Sequence, residues 1–252
     1  MGKVYLVGAG PGAVDLLTVR ASRLLARADV VFHDALVEPD VLDVAQRAIR
    51  IAVGKRCGAH STSQRFINKR LVEAAARHAI VVRLKGGDPM LFGRAQEEID
   101  ALLEAGVEVE VVPGVTAALA AAAELKLSLT RRGVARSVTL VTPRSGEGES
   151  PHAWARAAAS ADTAVIYMGA GQAESIAAAL MERGVAAGTP VVIVENAGRD
   201  GESHRAGRLC DLAVLTASRG GGPAVIVLGE VASTLAREAM PRADLALRRA
   251  AG

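Results

Sequence analysis

Short apolar runs alternate along this 252-residue chain with stretches of helical periodicity, and that alternation leaves few folds open. The first run, residues 3–7, breaks at Gly8-Ala9-Gly10-Pro11-Gly12, as a strand entering a tight turn does. Residues 15–28 follow with Leu17, Ala21, Leu24, Leu25 and Ala28 at helical spacing, and residues 29–32 read as a second strand. Ser61 to Gln64 fits a capping box opening a helix to about His78. Residues 80–84 form a strand that is apolar except for Arg83 and stops at Gly86-Gly87-Asp88-Pro89. Residues 97–104 are helical and end at Gly106, and residues 107–112 are a strand before Pro113-Gly114. The second half repeats the pattern, with strands at 137–141, 163–167, 191–195 and 224–228 and a helix near 172–183. Such alternation predicts an α/β fold: two α/β domains with mainly parallel sheets covered by helices, and ligands at the carboxyl ends of strands. The basic segment 126–136 is the expected linker between domains at 1–125 and 137–241, with an Arg- and Ala-rich tail at 242–252.

Charge narrows the choice of partner. Residues 47–94 hold eleven Lys or Arg against only Glu73 and Asp88, whereas the whole chain nets +3, so the remainder is acidic. This asymmetry points to an anionic partner, although Arg70 and Arg77 read as an ordinary solvated helix face. Aromatic residues make up 2% of the chain, too few for stacking on single-stranded bases, so a small polyanion is expected rather than nucleic acid. No run reaches the roughly 18 apolar residues of a membrane span. The start of the sequence leaves no room for a signal peptide before Gly8, and Cys57 and Cys210 are the only cysteines, so a reduced, cytoplasmic protein is expected. Cys57 and His60 lack the second ligand pair of a zinc site, and no metal is expected.

Gly8-x-Gly10-x-x-Ala13 between a strand and a helix satisfies the dinucleotide fingerprint, and Asp34 ends the second strand where a ribose-binding acid would stand. A nicotinamide-dependent oxidoreductase is therefore one reading. Against it, Pro11 lacks the backbone N–H that a pyrophosphate would use, which favours a nucleoside without phosphate. Further small-residue strand ends occur at Lys85-Gly86-Gly87-Asp88-Pro89, at Pro113-Gly114-Val115-Thr116-Ala117 and at Tyr167-Met168-Gly169. Any one of them alone is an ordinary turn.

Taken in order, Gly8-Ala9-Gly10-Pro11-Gly12 with Leu16-Leu17-Thr18, His33-Asp34-Ala35-Leu36-Val37, Gly54-Lys55-Arg56, Lys85-Gly86-Gly87-Asp88-Pro89, Phe92-Gly93-Arg94 and Pro113-Gly114-Val115-Thr116 closely resemble the tetrapyrrole methylases, in particular those that methylate uroporphyrinogen-III. The resemblance covers about residues 3–232. It implies a homodimer that binds S-adenosylmethionine in a cleft between the domains, and a polyanionic tetrapyrrole as methyl acceptor. Carried over by position, Pro11, Gly86, Gly87, Asp88, Thr116, Ala117, Met168 and Ala197 line the methyl donor. Asp34 and Lys55 match a proton acceptor and donor, Arg94 and Glu97 match positions for substrate binding or proton removal, and Arg56 and Arg132 would bind substrate carboxylates. The chain departs from the family pattern at Arg131 and at Pro143-Arg144, both of which add positive charge where the family has His, and at Ala95-Gln96, where it has glycines. A tetrapyrrole methylase acting on a later corrin intermediate and a tetrapyrrole-binding module without turnover are the remaining alternatives.

Overall fold

A computed structural model describes residues 1–54, 64–146, 150 and 152–239. The chain divides into two compact units, Met1–Ala120 and Ala121–Gly252, each with its own five-stranded sheet.

In the first unit β1 (Lys3–Gly8), β2 (Val30–His33), β3 (Ile49–Ala52), β4 (Ile80–Lys85) and β5 (Val109–Val112) pair in the order β3-β2-β4-β1-β5, every pair parallel. The helices are α1 (Val19–Leu25), α2 (Pro39–Asp43), α3 (Gln64–Ala75) and α4 (Ala95–Glu104), and α5 (Ala117–Glu124) begins in this unit and ends in the second. Alternation along each strand feeds two cores. Val4, Leu6, Val30, Phe32 and Val81 pack with Leu71 of α3 and Leu102 of α4. Val7, Val31, Val82 and Leu84 pack with Leu25 of α1 and Val41 of α2 on the other face. Each such side chain contributes about 1.5–3 kcal/mol on full burial. Thr18 opens α1 by accepting a hydrogen bond from the Ala21 N–H at 3.1 Å.

Strand order also positions the site. From β1 the chain crosses through α1 towards β2 on one face, while from its neighbour β4 it crosses through α4 towards β5 on the other face and in the opposite direction. Adjacent strands whose connections part in this way leave a crevice beyond their carboxyl ends.

In the second unit β6 (Val138–Val141), β7 (Thr163–Tyr167), β8 (Pro190–Glu195), β9 (Ser203–Arg208) and β10 (Ala224–Leu228) run in the order β6-β7-β10-β8-β9. Here α6 (Ala153–Ser160), α7 (Ala173–Met181) and α8 (Leu212–Ala217) surround a core that includes Ile166, Ile176, Leu180, Ile193, Leu212 and Ile226, and α9 (Ser233–Ala239) follows β10. The expectation of mainly parallel pairing fails in this sheet: β6–β7 is parallel, whereas β7–β10, β10–β8 and β8–β9 are antiparallel. The cause is β9, a strand absent from the sequence reading. Only residues 196–202 separate it from β8, too few for the dozen or so that a parallel crossover needs, so the two form a hairpin. The connection through α8 then preserves the reversed direction into β10. At the start of β6, Asp162 accepts hydrogen bonds from the backbone N–H of Arg136 (2.8 Å) and Ser137 (2.9 Å) and from the Ser137 hydroxyl (2.9 Å), which hold its carboxyl below the usual range. No helix among the described residues is long and apolar enough to cross a membrane.

Candidate active site

Beyond the carboxyl ends of β1, β4 and β5 the backbone is crowded to a degree only glycine permits. Gly10 and Gly87 exchange hydrogen bonds, Gly87 N to Gly10 O at 2.7 Å and Gly10 N to Gly87 O at 3.2 Å, with φ of +70° and +68°. A Cβ on Gly8 would lie 2.6 Å from the Gly114 Cα and 2.7 Å from the Gly87 carbonyl oxygen. Asp88 ties the same loops from the side: its Oδ1 accepts from the Met90 N–H at 2.8 Å and its Oδ2 from the Gly114 N–H at 2.9 Å. Each oxygen keeps a lone pair for a ligand donor. A Cβ on Gly87 would stand 4.0 Å from the Thr116 Cα, and Ala117 is the first residue of α5. Pro11, Gly86, Gly87, Asp88, Thr116 and Ala117 thus gather at one edge of the first sheet, at the β1/β4 switch point. This edge offers bare backbone and a carboxylate, a surface suited to a flat, hydroxyl-bearing nucleoside.

Asp34 follows β2 beside this edge, and its partner is one the sequence reading missed. Arg83, on β4, donates from Nη2 to Asp34 Oδ1 at 2.5 Å and from Nε to Glu98 Oε1 of α4 at 3.1 Å. Lys85 donates to both Glu98 oxygens at 3.1 Å, and Gln64 Nε2 reaches Oε1 at 3.1 Å. The Arg83, Lys85 and Glu98 side chains are 3%, 4% and 0% exposed. Period-two alternation on β4 sends Arg83 and Lys85 to the α3/α4 face, so they must be paired inside the protein. Burial pushes the Lys85 ammonium below its ordinary value, the neighbouring Arg83 charge adds to this, and the Glu98 and Asp34 carboxylates oppose it. The one available signal was a charged residue inside an otherwise apolar strand. Two cations of the basic 47–94 segment are therefore internal, and the surface they were expected to build is smaller than the sequence implies.

Arg94 and Glu97 form an exposed bidentate pair, Nε–Oε1 2.7 Å and Nη2–Oε2 2.8 Å. That pairing raises the Arg94 pKa and lowers that of Glu97. Arg94 adopts φ +54° immediately before α4, and Phe92 nearby φ +53°, a left-handed backbone that non-glycine residues adopt at a cost of about 1–3 kcal/mol. In the second unit Met168 directly follows β7 at φ +55° and is 40% exposed. Ala197 is buried just beyond β8, and Arg132 is exposed in a turn closed by two hydrogen bonds between Arg131 and Ala135 (2.9 and 2.8 Å). Lys55, Arg56, Cys57 and His60 lie outside the described residues.

Fold and site together define an α/β protein with a glycine-lined edge at the switch point of an open parallel sheet. Within that class the chain matches the tetrapyrrole (corrin/porphyrin) methylases over residues 3–213, and it belongs to that family. It is 44% identical over 232 residues to uroporphyrinogen-III C-methyltransferase of Pseudomonas aeruginosa, covering 91% of this chain and 94% of that protein. It is 46% identical over 232 residues to siroheme synthase of Chromobacterium violaceum, where the match covers 91% of this chain but 49% of the relative. The chain thus spans about half the length of the siroheme synthases it matches. Its structure resembles that of uroporphyrin-III C-methyltransferase from Thermus thermophilus in complex with S-adenosylhomocysteine, with a TM-score of 0.81, 42% identity, and coverage of 92% of this chain and 100% of that one. It also resembles a cobalt-precorrin-4 methyltransferase of cobalamin biosynthesis, with a TM-score of 0.80, 27% identity, and coverage of 91% and 95%.

Proposed function

We propose that this protein transfers methyl groups from S-adenosylmethionine to carbons 2 and 7 of uroporphyrinogen-III, giving precorrin-2 by way of precorrin-1 in sirohaem or cobalamin biosynthesis. The observation that carries the reading is the end-to-end correspondence with the Pseudomonas methyltransferase, 91% of one chain against 94% of the other. The crowded glycine edge supports it, because a neutral nucleoside can lie on bare backbone where a pyrophosphate would need the N–H that Pro11 lacks.

A sulfonium methyl is a strong electrophile and an electron-rich pyrrole carbon a nucleophile, so alignment is the protein's main contribution. As the new carbon–carbon bond forms from the pyrrole electron pair, the carbon–sulfur pair returns to sulfur, and the ring becomes neutral by losing a proton. Asp34 and Glu97 are the acceptors in reach of this role, with Lys55 and Arg94 tuning proton transfer. Pro11, Gly86, Gly87, Asp88, Thr116 and Ala117 line the donor, and the family pattern adds Met168 and Ala197 to the donor-binding residues. Arg56, Arg94 and Arg132 hold the eight carboxylates of the macrocycle by charge-assisted bonds. In this reading residues 1–125 carry most of the site, and the protein works as a cytoplasmic homodimer.

Anaerobic incubation with uroporphyrinogen-III and S-adenosylmethionine, followed by mass analysis of the tetrapyrrole, tests it. Stepwise gain of two methyl groups is expected. No gain refutes the reading, and methylation of a later corrin intermediate in its place would favour the kinship with the cobalt-precorrin-4 enzyme.

A further inference from the structure

Every nitrogen of the Arg83 guanidinium is committed: Nη2 to Asp34 Oδ1, Nε to Glu98 Oε1 and Nη1 to the Leu84 carbonyl at 3.1 Å. Glu98 is in turn fixed by Lys85 and Gln64, so the fork has no second orientation open to it. Asp34, the partner at the open end, is 28% exposed, and its Oδ2 takes no hydrogen bond among the described residues. Apolar residues would fill this space as stably as buried charges do, since desolvating ions offsets most of their mutual attraction. The arrangement therefore does something packing alone would not: it holds one carboxylate oxygen of a partly exposed side chain and leaves the other without a hydrogen bond among the described residues.

We infer that Arg83, locked by Glu98, is a positioning residue that aims Asp34 Oδ2 at the carbon from which the proton leaves. The inference rests on the proposed role of Asp34 as proton acceptor. The proton passes from the methylene bridge carbon next to the methylated pyrrole to Oδ2, neutralising the carboxylate, and then to solvent; the electron pair of the broken C–H bond restores a neutral ring system. A carboxylate released from its anchor samples many orientations, and a misplacement of about 1 Å costs on the order of 100-fold in rate.

The test is a cycle built from Asp34→Asn and the paired change Arg83→Met with Glu98→Gln, which removes one charge of each sign and leaves Lys85 an acceptor. Each arm should lower kcat by about 10–100-fold, while the KM for uroporphyrinogen-III and the Kd for S-adenosylhomocysteine stay within about 2-fold. Combining them should give a protein no slower than Asp34→Asn alone, because Arg83 acts only through Asp34. Arg83→Lys, which keeps the cation but lacks the fork, should show the same kcat loss and serves if the paired variant does not fold. Multiplicative losses in the combined variant, or a rise in KM or Kd in place of the kcat loss, would overturn the inference, since a purely structural defect behaves in that way. Full kcat in Asp34→Asn would instead overturn the role of Asp34 and the inference with it. A slow Asp34→Asn beside a fully active Arg83→Met/Glu98→Gln would overturn the positioning alone.

Discussion

Gly8→Ala probes the crowded edge with a single methyl group. Its Cβ would stand 2.6 Å from both the Gly114 Cα and N and 2.7 Å from the Gly87 carbonyl oxygen, all of them backbone atoms that no side-chain rotation can clear. Ordinary contact needs close to an ångström more, so the β4 and β5 loops must both retreat. Overpacking of this kind costs about 1–3 kcal/mol. Retreat of Gly87 also stretches its two bonds to Gly10, now 2.7 and 3.2 Å, each worth about 0.5–1.5 kcal/mol net. The combined loss is about 2–6 kcal/mol, measurable as a shift of the urea midpoint at unchanged m-value. Because the same loops line the proposed donor site, the affinity for S-adenosylhomocysteine by titration calorimetry should fall about tenfold or more in the folded fraction. Gly171→Ala is the control, as its Cβ would meet nothing within 4 Å and its φ is not positive. If Gly8→Ala matched Gly171→Ala in midpoint and in ligand affinity, the claim that backbone crowding shapes this edge would be refuted.

Asp88→Asn leaves one acceptor for two N–H donors, those of Met90 and Gly114, and should lower stability by about 1–3 kcal/mol in urea titration while weakening S-adenosylhomocysteine binding. Arg94→Ala breaks a pair whose side chains are 60% and 50% exposed, so stability should change by less than about 1 kcal/mol; a rise in the KM for uroporphyrinogen-III then reports lost substrate contact. The folded-state pKa of Asp162 lies below its unfolded value, so its contribution is present above the unfolded value of about 3.9 and is lost as the pH falls through the folded value. Acid unfolding followed by circular dichroism should accordingly show stability falling faster below about pH 4 in the wild type than in Asp162→Asn.

Strands buried on both faces announced themselves. β7 and β10 are unbroken apolar runs, and the sequence places their ends at the residues where the sheet has them. Two of the four edge strands did not: β9, Ser-His-Arg-Ala-Gly-Arg, is half exposed and carries no apolar run, and β3 is short and mostly exposed. Missing β9 led directly to the wrong pairing in the second sheet, since strand direction is decided by the length of connections and not by the strands' own composition. At the site, glycine positions were legible because only glycine tolerates the backbone they adopt. Glu98 was not, because its partners Lys85 and Arg83 lie 13 and 15 residues away, and only packing of α4 on β4 decides that it is Glu98 and not its neighbour Glu97 that turns inward.

The buried Arg83–Glu98–Lys85–Asp34 cluster also bears on how a charged molecule meets this protein. Two positive and two negative charges held within a few ångströms project a multipolar field that decays much faster with distance than that of a lone cation, and salt screens what remains beyond about 10 Å. An approaching polyanion is therefore drawn only by the cations left at the surface. Its encounter rate should depend on ionic strength less steeply than the count of arginines and lysines in the sequence suggests.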